Sequence, residues 1–303
     1  MKRVLVTGAG GFIGAGMMAR CQQNGCLTEG WDRTALGDIL PLDLSDTGRV
    51  AQRLREFRPE VIFHCAGSAD VGRSVRQPEE DLKGNVGLTH HLLFALQQSG
   101  IPPVRFVFLS SAAVYGNAAS LPIREDSPLC PLSPYALHKV MCEEMCRYFE
   151  RMGLIELRIA RIFSAYGAGL RKQIFWDMHR KLVQTGRLDL FGTGEESRDY
   201  IHLSDLTRAL YLIAASDSGE ALYNVANGKN IRIRQAAELF ADCCGLSREK
   251  ISFNGAVREG DPKHMCADIS RLRRLGYEAG VELKTGLAEY TRWAAAEEGG
   301  GPA

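Results

Sequence analysis

The sequence predicts an α/β fold: a Rossmann-type, doubly wound parallel sheet with a smaller mixed α/β lobe toward the C-terminus. Three observations predict it. Short, almost continuously apolar runs alternate with longer helical patterns through the first half of the chain, as strands buried on both faces do. The first of those runs leads into a turn with glycines at 8, 11 and 14, and a helical pattern opens directly behind it. After Gly167 the alternation stops.

Taken in order, residues 3–7 read as strand, 14–23 as helix and 27–32 as a second strand, with a short third near 38–42. Residues 50–57 read as helix, 60–65 as a buried strand, 82–98 as one long helix and 104–110 as another buried strand. A helix over 135–152 and a strand over 155–162 follow. In the second half, 175–185, 204–215 and 233–244 carry helical patterns and 221–225 reads as strand. Residues 188–199 read as loop-rich, with Gly192 and Gly194.

Composition narrows the function. The 303 residues are 45% hydrophobic and 24% charged, and the formal net charge is +1. That is a globular balance with no electrostatic case for nucleic acid or a membrane surface as partner. No apolar run approaches the ~18 residues a membrane span needs. The first residues run straight into a strand pattern, so no secretory signal is expected. The nine cysteines are scattered without a Cys-x-x-Cys pair. They read as free thiols of a reduced cytoplasm, and no metal site is expected.

The glycine turn points to a dinucleotide. A chain leaving a strand toward a pyrophosphate needs a tight turn, close backbone approach and a helix packed hard on the sheet. Thr7-Gly8-Ala9-Gly10-Gly11-Phe12-Ile13-Gly14 meets those needs in the spacing G-x-x-G-x-x-G. Gly8, Gly11, Phe12, Ile13 and Gly14 are therefore the expected phosphate-side residues, with the helix start offering free N–H groups. Asp32 closes the second strand, where a carboxylate accepts hydrogen bonds from a ribose 2′,3′-diol. That favours NAD. Arg33, next to it, would suit a 2′-phosphate or stack on adenine, so NADP stays open. Asp43-Leu44 follow the short third strand, where Asp43 either reaches the adenine amino group or shapes a turn.

A second pattern carries the chemistry. Tyr135 and Lys139 are four apart on an expected helix and share a face, with Pro134 suited to its first turn. An ammonium beside a phenol favours the phenolate, which can exchange a proton with a sugar hydroxyl or carbonyl. Ser111 ends a buried strand, where its hydroxyl can bond the same oxygen. Lys139 can also bond the nicotinamide ribose.

With these motifs in place, the chain resembles the extended short-chain dehydrogenases/reductases, specifically the NAD-dependent nucleotide-sugar epimerase/dehydratase family. The resemblance rests on TGAGGFIG, FHCAG at 63–67, VGRSVRQPEEDLKGNV at 71–86, FLSSAAVYG, EDSPLCPLSPYALHK, GTGEESRDYIHLSDL at 192–206 and VREGDPKHMCADISRLRRLGY at 257–277. It implies an NAD(P)-binding Rossmann domain over 1–166 and a mainly substrate-binding lobe over 167–303, with some C-terminal segments returning to the first. It implies a nucleoside-diphosphate sugar as substrate and a homodimer formed through a helix bundle that includes the Tyr–Lys helix. Matched residue by residue, it implies a catalytic set of Ser111, Tyr135 and Lys139. It places Cys65 and Ala66 along the adenosine and pyrophosphate, with His64 structural. It places Asn85 near the cofactor, and Ile162 to Ser164 past the nicotinamide and substrate phosphates. Arg198 and Arg258 would clamp the substrate diphosphate, a task suited to the guanidinium fork. Asp261 would sit near the nucleotide ribose, and His202 would support its turn. Residues 170–177 would border the sugar-nucleotide pocket.

Departures from the family pattern bear on the reaction. Ala112 and Ala113 stand where dehydratases carry an Asp-Glu pair, which disfavours water elimination. Ser164 replaces an Asn common in sugar epimerases, and Asp70 stands where some members carry Lys. Epimerisation at C4 with NAD retained is the favoured reading. The alternative is reduction of a 4-keto-6-deoxy nucleotide sugar at the expense of NAD(P)H. A cofactor-binding protein without catalysis is disfavoured, because Tyr135 and Lys139 are both present.

Overall fold

The computed structural model describes residues 1–256 and 260–299. Its elements follow the chain in this order. The first part comprises β1 (Arg3–Thr7), α1 (Phe12–Gln23), β2 (Leu27–Asp32), β3 (Leu40–Pro41), α2 (Thr47–Phe57) and β4 (Val61–His64). Next come α3 (Val71–Arg76), α4 (Pro78–Leu82), a π-turn (Lys83–Gly87), α5 (Leu88–Ser99), β5 (Val104–Ser111), α6 (Pro134–Arg151) and β6 (Ile155–Ile162). The second half holds β7 (Ser164–Tyr166), α7 (Gln173–Thr185), β8 (Leu188–Leu190), β9 (Ser197–Arg198), β10 (Tyr200–His202) and α8 (Leu203–Ala215). It continues with β11 (Leu222–Val225), β12 (Ile231–Arg232), α9 (Ile233–Cys243), β13 (Ile251–Phe253), α10 (Ser270–Arg273) and α11 (Leu283–Gly299).

Seven strands form one parallel sheet in the order β11-β6-β5-β4-β1-β2-β3. The chain runs outward from β1 to β3, then returns to the other side of β1 as β4. The switch point therefore lies between β1 and β4, where ligands of open α/β sheets bind. The strands are continuously apolar because helices cover both faces. One face buries Val4, Val6, Phe63 and Val107 beneath α1 and α8. The other buries Leu5, Ile62, Phe106 and Phe108 beneath α2, α5 and α6. A separate core around Tyr166, Phe175, Leu190, Phe240 and Tyr290 holds the second lobe together.

Two expectations change. The single helix over 82–98 is interrupted by a π-turn at Lys83–Gly87, where the Asn85 side-chain amide donates to the Asp81 carbonyl at 3.2 Å. Residues 188–199 are not all loop: β8 pairs with β13 and β9 with β12. Strands of two or three residues are too short to show a period, and their partners lie far along the chain. The segment expected as strand at 221–225 becomes β11 and extends the main sheet beside β6.

Candidate active site

The carboxyl ends of β1, β2, β4, β5 and β6 lie along one edge of the sheet, and of the expected site residues Ser111, Ile162, Ser164, Arg198 and Asp261 line one cleft beside it. The glycine turn follows β1. Gly8 has φ +66°, and a Cβ there would lie 2.7 Å from the Ala66 backbone. A Cβ at Gly14 would lie 2.0 Å from the Gly8 carbonyl oxygen. Only glycine lets α1 pack against the turn while β4 passes this closely. The helix start at Phe12 and Ile13 has no side-chain cap and no acid in its first turn, so its N–H groups remain for an anion. Asp32 accepts the N–H of Gly10 at 3.0 Å and of Arg33 at 2.7 Å, which holds its carboxylate beside the turn. Arg33 itself is exposed.

Asp43 accepts the Ser45 N–H at 2.9 Å. That backbone bond, with the Ser45 hydroxyl, holds its carboxyl below the ordinary value. The turn reading of this residue is thus the one the geometry uses. The Leu44 side chain is buried in the core, which leaves only its backbone for a ligand. Cys65 is half-buried, and burial pushes its thiol up. The Ala66 N–H donates to Thr7 Oγ1 at 3.4 Å. His64 is buried between Thr7 Oγ1 at 2.8 Å and Thr89 Oγ1 at 3.2 Å. Burial, aided by the Lys139 charge, pushes its pKa down to about 3. It stays neutral and structural.

Asn85, on the π-turn, is buried with its Oδ1 unpartnered. A Cβ on Gly67 would come within 2.9 Å of that oxygen and 3.7 Å of Lys139 Nζ, so both groups face the same glycine. A buried acceptor without a donor is an uncommon cost in a native protein and marks a place for a ligand or water. Glycine turn, uncapped helix start, adjacent carboxylate and orphan acceptor together fit a dinucleotide.

Ser111 ends β5, accepts the Ala113 N–H at 3.2 Å and opens on the cleft. The helix α6 begins at Pro134, with Ser133 as its cap. Tyr135 and Lys139 stand on its buried side. Lys139 Nζ donates to the Leu109 carbonyl at 2.9 Å and lies 5.9 Å from the centre of the Tyr135 ring. Ser111, Tyr135 and Lys139 thus gather at the ends of β5 and α6.

A cleft of about 640 Å³ separates this edge from the second lobe. Ser111, Ala112, Ile162 and Ser164 line its sheet side; Arg198, Asp261 and the start of α7 line the other. Arg198 donates to the Ser197 and Lys263 carbonyls at 2.9 and 3.2 Å, and its Nη2 stands 3.9 Å from Asp261. Arg258 lies outside the described residues. Of the segment 170–177, Lys172, Gln173, Ile174 and Asp177 reach the cleft, whereas Arg171 pairs with Glu297. His202 caps α8 by accepting the Ser204 N–H, supporting its turn. Arg76, Phe191 and Lys263 also line the cleft without having been expected. No sequence spacing marks them, because the fold alone brings them there.

The cleft carboxylates among the described residues are already engaged. Asp70 caps α3, Asp177 pairs with Lys181, Glu196 accepts from Thr193 and Gly194, and Asp261 faces Arg198. The two residues that follow Ser111 along the cleft, Ala112 and Ala113, bring methyls and no carboxylate. Among the described residues there is no metal-binding group of His, Cys, Asp or Glu. None of their helices is long and apolar enough to cross a membrane.

Such an edge is what a dinucleotide-dependent enzyme of the extended short-chain dehydrogenase/reductase class presents. Comparison with known proteins agrees. The NAD dependent epimerase/dehydratase family model matches residues 4–226, and the chain belongs to that family, with NAD as its cofactor. A UDP-glucose 4-epimerase of Azospirillum brasilense is 32% identical over 91% of this chain and 86% of its own. A GDP-6-deoxy-D-mannose reductase of Pseudomonas aeruginosa is 27% identical over 94% and 95%. Among solved structures, MoeE5 in complex with UDP-glucuronic acid and NAD superposes with a TM-score of 0.88 at 30% identity, covering 97% of this chain and 99% of that one.

Proposed function

We propose that the protein is a nucleotide-sugar 4-epimerase that keeps its NAD bound. One observation carries the reading: among the described residues Ser111 lines the cleft with Ala112 and Ala113 directly behind it, and the helix of Tyr135 is tied to the same strand end through Lys139 and the Leu109 carbonyl. Exchange of a hydroxyl proton needs only that phenol, whereas elimination of water needs an acid–base pair that Ala112 and Ala113 lack.

The glycine turn and the N–H groups of Phe12 and Ile13 hold the pyrophosphate, Asp32 the adenosine ribose, and Asn85 and Lys139 the nicotinamide half. NAD, when bound, supplies reversible hydride transfer at the sugar C4. The chain's own residues handle the proton. Tyr135 Oη takes it from the 4-hydroxyl and later returns it, Ser111 Oγ bonds the same oxygen, and Lys139 ties the helix of Tyr135 to the Leu109 carbonyl. Arg198 meets the substrate diphosphate and Asp261 the nucleotide ribose. The cleft volume of about 640 Å³ suits a ligand larger than a monosaccharide and leaves room for the sugar to turn over. Leu137, Met141 and Tyr148 on α6 and Phe94 on α5 are exposed, and this apolar face is the surface through which two copies would pair.

Reduction of a 4-keto-6-deoxy nucleotide sugar is the second reading, favoured by the likeness to the GDP-6-deoxy-D-mannose reductase. It would use the same three residues. The test is to add UDP-glucose, UDP-glucuronic acid or their C4 epimers to the protein without free cofactor and follow the anomeric protons by NMR. Interconversion is expected. Stoichiometric NADPH consumption on a 4-keto-6-deoxy sugar, with no interconversion, would replace the epimerase by the reductase.

A further inference from the structure

The motif Ser110-Ser111 leaves its first serine without a task. Neighbouring strand residues point to opposite faces of a sheet. Ser111 opens on the cleft; Ser110 is buried on the α6 side, where its hydroxyl donates to Glu143 Oε1 at 2.6 Å. Glu143 lies one helical turn beyond Lys139 and has no exposed surface. Its carboxylate also accepts Arg161 Nε at 2.9 Å, Arg161 Nη2 at 2.7 Å and Arg147 Nη2 at 3.1 Å. Burial raises the cost of its charge, but Arg161 outweighs that and holds its carboxyl below the ordinary value.

Arg161 is the residue before Ile162, which lines the cleft at the end of β6. Its Nη1 donates to Tyr115 Oη at 3.0 Å and the Glu125 carbonyl at 3.1 Å, and Tyr115 donates to Asn224 Oδ1 on β11 at 2.7 Å. One carboxylate on α6 is thereby joined, directly or through Arg161, to three adjacent strands. Replacing such a buried pair by well-packed apolar residues often costs no stability, so its presence beside the site calls for another reason.

We propose that Ser110, through Glu143, is a positioning residue that fixes the Tyr135–Lys139 helix against the strand end carrying Ser111. The bond from Lys139 to the Leu109 carbonyl is the second tie between the same helix and the same strand. Two ties on successive turns of α6 set both its height and its rotation relative to Ser111. Catalytic alignment is steep in distance, with about a hundred-fold loss for a 1 Å misplacement.

The inference rests on Tyr135 as the proton carrier, and its test separates the two. Ser110→Ala removes the tie while leaving the Glu143–Arg161 pair intact. Its kcat is expected to fall at least about ten-fold, with KM and bound NAD within about two-fold of wild type. Amide exchange in the first two turns of α6 is expected to quicken, and Ser110→Thr to restore both. Wild-type kcat in Ser110→Ala, or a loss confined to KM, would overturn the proposal. If the wild-type chain interconverts no C4 epimers, the functional reading falls. Exchange in Ser110→Ala then decides the positioning alone, and unchanged protection at residues 135–143 overturns it.

Discussion

The parts proposed to hold the cofactor and the parts proposed to meet the substrate are built from different material. On the cofactor side the working parts are mostly backbone: a glycine turn, a bare helix start and a β4 segment pressed against Gly8, with Asp32 as the main side chain. On the substrate side they are side chains from α3, α7, β9 and the segment before α10, gathered across nearly two hundred residues. A backbone site has one geometry and tolerates no added atom. A side-chain site loses its contacts one at a time.

The sharpest way to break that comparison is at the turn. Gly14→Ala puts a methyl 2.0 Å from the Gly8 carbonyl, and the turn and α1 cannot both stay in place. Purified Gly14→Ala is expected to carry no NAD, assayed on the denatured protein, and to be destabilised by about 3 kcal/mol. Retention of NAD would show the turn to be more pliable than a rigid cradle. Tyr135→Phe stands between the two sides. It should lower kcat about a thousand-fold with NAD content unchanged. Unaltered turnover would remove the phenol from the mechanism.

The link between β9 and β10 gives a pH test. Asp199 is fully buried and accepts the Asn227 and Ala267 N–H groups at 3.0 and 3.1 Å. Burial pushes its pKa up to about 6, the backbone donors only partly opposing it. The unfolded chain then loses this proton first as pH rises. The contribution is complete below about pH 4 and is lost as pH climbs through about 6, a change of about 3 kcal/mol. Unfolding of wild type against Asp199→Asn across pH 4 to 7 should show wild type losing ground over that window; parallel curves would contradict it. Arg198→Met is the mildest change. Arg198 is partly exposed and only 3.9 Å from its acid, so a rise in KM of about ten-fold with kcat nearly kept is expected from steady-state kinetics. An abolished activity would mean the substrate side is as brittle as the cofactor side.

The same division explains what could be read from the chain alone. The turn at 8–14, Asp32 and the Tyr135–Lys139 spacing are local: Asp32 meets the turn at the Gly10 N–H, and Lys139 lies 5.9 Å from the centre of the Tyr135 ring. The π-turn at Lys83–Gly87 was hidden because a helical pattern runs through it, and the change from one helical hydrogen-bond spacing to another leaves no mark on residue type. The strands β8, β9, β12 and β13 carry two or three residues each, too few for a period. Arg171, within the segment expected to border the pocket, pairs with Glu297 on α11, a partner that no local spacing marks.

By itself the sequence determined the parallel sheet, the dinucleotide turn and the phenol–ammonium pair, since strand and helix periods and short spacings are written within one stretch of chain. Only the tertiary structure decided that β11 joins the sheet, that Ser110 faces Glu143, and which side chains wall the cleft. Those outcomes depend on which distant surfaces pack together and on which buried charge finds a partner, and no local pattern encodes either.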